Sequence, residues 1–116
     1  MAFLRRSLRT WLASLGGTRQ EADDIVLAVD EAITNAIEHA YLGHGGTVDV
    51  VAGFAADRRS VVIQVTDGGR WKRPGRTKDR GHGFMLMSRL CDSVEVTHRR
   101  GTVVRLSRTL ARSALA

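Results

Sequence analysis

Three polar side chains that could do chemistry recur at a spacing of four residues in the stretch AVDEAITNAIEHAY, residues 28 to 41. They are Glu31, Asn35 and His39, and on an α-helix each lies about 40° further round than the one before, so all three share one side. A carboxylate can accept a proton, and an amide oxygen can ligate Mg²⁺. A solvated stripe on an amphipathic helix would explain the same spacing. On this helix alone the solvated stripe is the favoured explanation, although Asn, a weak helix former that gains nothing on an exposed face, shifts the balance slightly towards a functional role.

Two further clusters contain glycines beside polar residues. The stretch VTDGG ends a predicted strand with Asp67, and RGHGF places Gly81 and Gly83 where a loop becomes a helix. A strand-end Asp either hydrogen-bonds its own backbone in a turn or presents a carboxylate to the amino group of a buried base. A G-x-G at a helix start lets backbone amides approach an anion. The two clusters together suggest a nucleotide site.

A strip of basic residues from Arg70 to Arg80 lies directly before the second glycine cluster. It holds six basic residues against Asp79 alone, a net charge of +5 within a chain of net charge +6. Such a strip can neutralise a triphosphate, or it can contact a nucleic-acid backbone. Single-strand binders stack bases on interleaved aromatic residues, and this strip contains only Trp71. The triphosphate reading is therefore favoured over a basic nucleic-acid-binding protein.

The composition describes one ordinary globular domain. The chain has 116 residues, and no apolar run approaches the roughly 20 residues that a membrane span needs. A lone Cys91 suits a reducing cytoplasm and a small buried hydrophobic role. One cysteine and four scattered histidines show no zinc-ligand spacing.

Seven elements in the order ααββαββ would position these residues. Apolar residues from Phe3 to Leu15 recur at helical spacing, and Thr18 with Glu21 forms a capping-box pattern that opens a long helix, Arg19 to Tyr41. The other predicted elements are a hairpin of strands 47–55 and 60–67, a short helix 84–91, and a second hairpin 93–109 that turns near Arg100 and Gly101. This order predicts an α+β fold with helices on one face of an antiparallel sheet.

Taken in chain order, the clusters resemble the ATP-binding domain shared by gyrase, Hsp90, histidine kinases and MutL, the GHKL superfamily. The spacing E-x-x-x-N-x-x-x-H is similar to its N-box, and Asp67-Gly68-Gly69 to its D-x-G box. Gly81-His82-Gly83 resembles its later glycine box, and Gly101-Thr102, for which a hairpin turn is a sufficient explanation, resembles its closing G-T motif. The stretches DEAITNAIEHAY and GHGFMLM are most similar to the anti-sigma-factor serine/threonine kinases.

The resemblance runs from about Leu4 to Leu106 and implies a Bergerat-type two-layer sandwich with a mixed, mostly antiparallel sheet. The sequence differs from the family pattern in two places. Family members usually begin with a strand ahead of the first helix, whereas this chain, read as a single domain over residues 1–116, begins almost at that helix. It is then either a domain of a longer protein or one whose sheet another chain completes. His82 also stands where many members have Arg or Leu.

The resemblance implies ATP and Mg²⁺ as cofactors and a role for each matching residue. Glu31 would be the catalytic base and Asn35 the Mg²⁺ ligand, while Asp67 would read adenine with support from Thr102. Packing at the helix end explains His39 equally well. The remaining nucleotide contacts would come from Gly69, Arg80, Gly81, His82, Gly83 and Phe84.

The implied partners are an anti-anti-sigma factor, phosphorylated on serine, and a sigma factor held inactive. The resemblance implies no direct nucleic-acid contact and no membrane, and it allows a homodimer. The alternative is an ATP-dependent binding module without phosphotransfer, also as part of a larger phosphatase or sensor protein.

Overall fold

A computed structural model of the chain describes residues 1–40, 47–68, 80–99 and 101–111. The helices are α1 (Ala2–Ser14), α2 (Arg19–Asn35), which continues into a π-helical turn (Ala36–Ala40), and α3 (Arg80–Leu90). The strands are β1 (Val48–Ala55), β2 (Ser60–Asp67), β3 (Ser93–Arg99) and β4 (Gly101–Thr109). The predicted order of helices and strands is confirmed.

The four strands form one sheet in the order β1-β2-β4-β3, and every pairing between them is antiparallel. Alternation along β2 buries Val61, Ile63 and Val65 on the side that the helices cover. The apolar stripe of α2 packs on this side, and Leu8 and Leu12 of α1 complete the core. The predicted two-layer α+β architecture is confirmed.

Two element boundaries differ from the sequence prediction by more than one residue. Helix α2 widens into the π-helical turn directly after Asn35. The sequence did not predict this turn, because apolar periodicity cannot distinguish hydrogen bonds to the fourth residue from bonds to the fifth. Helix α3 begins at Arg80 and not at Phe84, so Gly81 and Gly83 lie in its first turn. Glycine is a poor helix former, which makes such a first turn look like a loop in the sequence.

The capping box at the start of α2 is present as predicted. The Glu21 backbone N–H donates to the Thr18 hydroxyl oxygen at 3.1 Å, and the Glu21 carboxylate accepts from the Thr18 backbone N–H at 2.8 Å. Within the described ranges, no helix is long and apolar enough to cross a membrane.

Candidate functional site

A cavity of about 170 Å³ opens between the helices and one end of the sheet. Its walls are mostly apolar and come from all three sides: Ala32 and Ala36 of the α2 region, Val65, Val96 and Val104 of the strands, and Phe84 and Met87 of α3. Four polar side chains also line it: Asn35, Asp67, His98 and Thr102. A mostly apolar cavity with a few convergent polar groups is typical of a small-molecule site.

Three of the polar residues form a row across the sheet. Asp67 of β2 pairs directly with Thr102 of β4, and Thr102 pairs with His98 of β3. The Thr102 backbone N–H donates to Asp67 Oδ1 at 3.3 Å, and His98 Nδ1 lies 3.2 Å from Thr102 Oγ1. Asp67 and Thr102 are 4% and 3% exposed, whereas His98 is exposed, so this row is a polar wall that is buried at Asp67 and Thr102 and reaches solvent at His98.

Gly101 makes the close approach of β4 to the end of β2 possible. Its φ is +108°, a conformation that L side chains rarely adopt. A Cβ at this position would also overlap the carbonyl oxygen of Asp67. The G-T motif is therefore more than a hairpin turn, because its glycine sets the position of the Asp67–Thr102 pair.

Helices α2 and α3 approach closely beside the cavity, at Gly83. A Cβ on Gly83 would lie 2.7 Å from Asn35 Nδ2 and 2.9 Å from Glu31 Oε2. At these distances both side chains lie against the first turn of α3, and both are half-buried. The first residues of an α-helix have backbone N–H groups without intrahelical partners, and this contact places a carboxylate and an amide beside that end of α3.

The other predicted site residues divide into three groups. Phe84 lines the cavity and is 44% exposed. Arg80, Gly81 and His82 form the beginning of α3, but only their backbone belongs to the described part of the chain, as does only the backbone of His39. Gly69 and the rest of the basic strip, residues 70–79, lie outside the described residues.

His98 is a cavity residue that the motifs did not reveal. Two signals in the sequence could have found it. Alternation along SVEVTHR places His98 on the same face as Val94 and Val96, and the turn predicted near Arg100 and Gly101 would place it opposite Thr102, as the register has it. His98 belongs to no motif itself, and only its pairing with the motif residue Thr102 places it in the cavity.

The single thiol of the chain does not take part in the site. Burial raises the pKa of Cys91 to about 11, so at neutral pH the group is a thiol and not a nucleophilic thiolate. The predicted role as a small buried hydrophobe is consistent with its place in the core.

Comparison with known proteins identifies relatives of this chain. A sequence profile of the histidine kinase-like ATPase domain matches residues 1–108. The anti-sigma F factor of Clostridium acetobutylicum is 31% identical, with 86% of this chain aligned to 77% of the relative. The serine-protein kinase RsbW of Bacillus subtilis is 30% identical, with 95% of this chain aligned to 78% of the relative.

Solved structures agree with the sequence relatives. A Mycobacterium tuberculosis protein with RsbU and RsbW domains superposes with a TM-score of 0.76 and 31% identity. The match covers 97% of this chain and 30% of that longer chain. The histidine kinase domain of a blue-light-activated kinase from Erythrobacter litoralis superposes with a TM-score of 0.64 and 25% identity, over 78% of this chain and 45% of that one.

Proposed function

Because the chain belongs to the histidine kinase-like ATPase family, we propose that it is an ATP-dependent protein serine kinase that acts as an anti-sigma factor. The names of the relatives, anti-sigma F factor and serine-protein kinase RsbW, support this function. The observation that carries it is the buried Asp67–Thr102 pair in a cavity that Asn35 also lines, with Gly83 against both Asn35 and Glu31.

ATP would bind with its base in the cavity and its phosphates at the first turn of α3. The Asp67 carboxylate would accept a hydrogen bond from the adenine amino group, and Thr102 would support it. The backbone N–H of Gly81 would face the phosphates at the positive end of the helix, and Gly83 would let the backbone approach them closely. Gly69, Arg80, His82 and Phe84 would complete the proposed contacts, and the Arg80 guanidinium would contact the γ-phosphate.

The residues present fit a Mg²⁺ ion that is held mainly by the nucleotide. Within the described residues, no group of three or more His, Cys, Asp or Glu side chains could hold a metal alone. Mg²⁺ characteristically takes one or two protein oxygens plus phosphate oxygens and water, and the Asn35 amide oxygen would be the protein ligand here. The bound ion would neutralise charge that develops on the β- and γ-phosphates.

Glu31 would act as the general base. Its carboxylate would take the proton of a serine hydroxyl on the partner protein as the serine oxygen attacks the γ-phosphorus. The bond between that phosphorus and the β–γ bridging oxygen breaks, so the products are phosphoserine and ADP. The contact of Glu31 with Gly83 supports this role, because it keeps the carboxylate beside the helix end that would hold the phosphates.

The proposed partners are a sigma factor and an anti-anti-sigma protein that receives the phosphate, in the cytoplasm. We further propose that residues 1–116 act as one kinase domain, alone or within a longer protein, and that two copies can associate. A binding module that holds ATP without transferring phosphate is the second candidate function. The polar row favours it, because Asp67, Thr102 and His98 would serve binding and not transfer.

Replacement of Glu31 by Gln distinguishes the two functions. Glu31→Gln removes the base and keeps the shape, so ATP affinity should stay near that of the unmodified protein. Transfer of the γ-phosphate to the partner serine should fall by roughly 10²–10⁴-fold, the usual contribution of a positioned base. The control is Glu95→Gln, an exposed carboxylate on β3 that should leave both quantities unchanged. Equal transfer rates for Glu31→Gln and the unmodified protein would exclude Glu31 as the base.

A further inference from the structure

His98 adds an imidazole to the polar wall of the cavity. It lies on β3 at the end of the row that Asp67 and Thr102 begin, and its Nδ1 is 3.2 Å from Thr102 Oγ1. The side chain also lines the cavity, so it contacts both the hydroxyl and any molecule bound there. The proposed catalytic scheme gives His98 no role.

The hydroxyl of Thr102 has one hydrogen to donate and two lone pairs to accept with. The direction of this hydrogen decides whether the wall presents a donor or an acceptor to a ligand. A hydrogen given to His98 Nδ1 leaves only lone pairs of Oγ1 for the cavity. Asp67 presents a carboxylate in the same row, which when ionised is also acceptor-only. The wall would then contain two adjacent acceptors and no side-chain donor from this pair.

We propose that His98 is a specificity-determining positioning residue that makes this wall select a 6-aminopurine over a 6-oxopurine nucleotide. In this arrangement His98 carries its proton on Nε2, Nδ1 accepts the Thr102 hydroxyl hydrogen, and Oγ1 and the Asp67 carboxylate accept from the amino group. A 6-oxo group would place a third acceptor against these two. The inference rests on the proposed function, since it assumes that the cavity holds the base of ATP.

Without an acceptor at the Nδ1 position, the Thr102 hydroxyl is free to turn its hydrogen towards the cavity. It could then donate to a 6-oxo group, and the discrimination between the two bases would weaken. One neutral hydrogen bond of this kind corresponds to roughly a 3- to 10-fold change in relative affinity. Overall affinity for ATP would change less, because Asp67 and the apolar walls are unaltered.

Calorimetric titration of the full chain with ATP and with inosine triphosphate, which carries a 6-oxo group, tests the proposal. His98→Leu removes both ring nitrogens, and the preference for ATP should fall by roughly 3- to 10-fold. His98→Asn places an amide oxygen near the former Nδ1 position and should restore the preference to within about 2-fold. His98→Gln places its amide further out and should not restore it. Thr97→Ala, on the opposite face of the same strand, is the matched control and should leave the preference unchanged.

The outcomes separate this inference from the function on which it rests. If the unmodified protein binds neither nucleotide, the proposed function fails. If it prefers ATP and His98→Leu keeps the same preference, or weakens both nucleotides equally, the specificity role of His98 is excluded and the kinase proposal stands. Rescue by His98→Gln but not by His98→Asn would overturn the assignment of Nδ1. His98 is exposed on one side, so its polar variants should remain folded, and unfolding transitions measured for each variant verify this.

Discussion

The polar residues at the two ends of helix α2 have different surroundings. At its start, Glu21 is 6% exposed and is engaged by protein groups, since it accepts from the Thr18 backbone N–H at 2.8 Å and from the Ala111 backbone N–H at 2.7 Å. At its end, Glu31 and Asn35 are half-buried and lie against a glycine beside an open cavity. One end connects elements of the fold, and the other leaves polar atoms available to a ligand.

A second contact strengthens the first end. Arg108 Nη1 of β4 lies 2.9 Å from Asp24 Oδ2 of α2 and donates to the Leu90 carbonyl oxygen at 2.7 Å, so one guanidinium joins β4 to α2 and to the C-terminal end of α3. These elements are thereby fixed at the end remote from the cavity. Carboxylates on one helix are therefore distinguished by their surroundings: complete protein partners indicate a role in stability, and an adjoining cavity indicates a role in function.

Gly101→Ala should have the largest effect, because a side chain at this position is incompatible with the close approach of β4 to the end of β2 that forms the cavity wall. The added Cβ would overlap the Asp67 carbonyl oxygen at a φ of +108°, and a non-glycine residue in such a conformation costs about 1–3 kcal/mol before the steric overlap is counted. We expect a loss of more than about 3 kcal/mol in the free energy of unfolding and loss of ATP binding, measured by urea denaturation and calorimetry.

Gly53→Ala is the matched control for this change, since a Cβ at Gly53 would meet nothing within 4 Å. Its effect should stay within about 0.5 kcal/mol, as for other surface substitutions. Similar losses at both glycines would show that position 101 has no special geometry.

Gly83→Ala should separate function from stability. The new Cβ would displace the ends of the Asn35 and Glu31 side chains, which are flexible, while alanine favours a helix by about 1 kcal/mol over glycine. Phosphoryl transfer should therefore fall by roughly 10- to 100-fold with little change in the unfolding midpoint. Ser88→Ala, an exposed position on the same helix, should change neither. A large loss of stability with normal transfer per folded molecule would contradict the proposed contact.

Glu21→Gln should have a smaller effect, confined to stability. Burial acts to raise the pKa of Glu21, but hydrogen bonds from the Thr18 and Ala111 backbone and the Thr18 side chain, together with the charge of Arg108, outweigh it and hold the pKa below 4.5. The carboxylate therefore stabilises the fold above about pH 4.5, and this contribution is lost as the pH falls through the folded-state pKa.

The free energy of unfolding of Glu21→Gln should be lower by about 1–2 kcal/mol at neutral pH. The difference from the unmodified protein should shrink on acidification, whereas Glu95→Gln should show no such trend. ATP affinity at neutral pH should be unaffected, and a weakened ATP affinity would mean that the two ends of α2 are coupled.

The sequence predicts the first end of α2 and the element order well, because these depend on local rules. The Thr18 and Glu21 spacing defines the capping box, and two β-branched hairpins with apolar helices define the two layers. The contact between Glu21 and Ala111 joins residues 90 positions apart, and no local pattern contains it. The same holds for Arg108 and Asp24.

Four residues of the candidate cavity were predictable from the sequence, but their contacts were not. The motif residues Asn35, Asp67, Phe84 and Thr102 do line one cavity. That Gly83 touches Glu31 and Asn35, and that Gly101 lies against Asp67, depends on how α3 and β4 pack, which the motifs do not encode. His98 became visible only through the strand register.

The most direct test of the account is whether Asp67 reads a base. Asp67→Asn replaces the carboxylate by an amide of the same shape, and binding of ATP and of inorganic triphosphate to this variant and to the unmodified protein can be compared by calorimetry. Loss of a charge-assisted hydrogen bond costs about 1.5–3 kcal/mol, so ATP should bind roughly 10- to 150-fold more weakly while triphosphate binding is unchanged. If both ligands weaken equally, or if ATP binds the variant as tightly as before, the cavity does not hold adenine against Asp67 and the account is wrong.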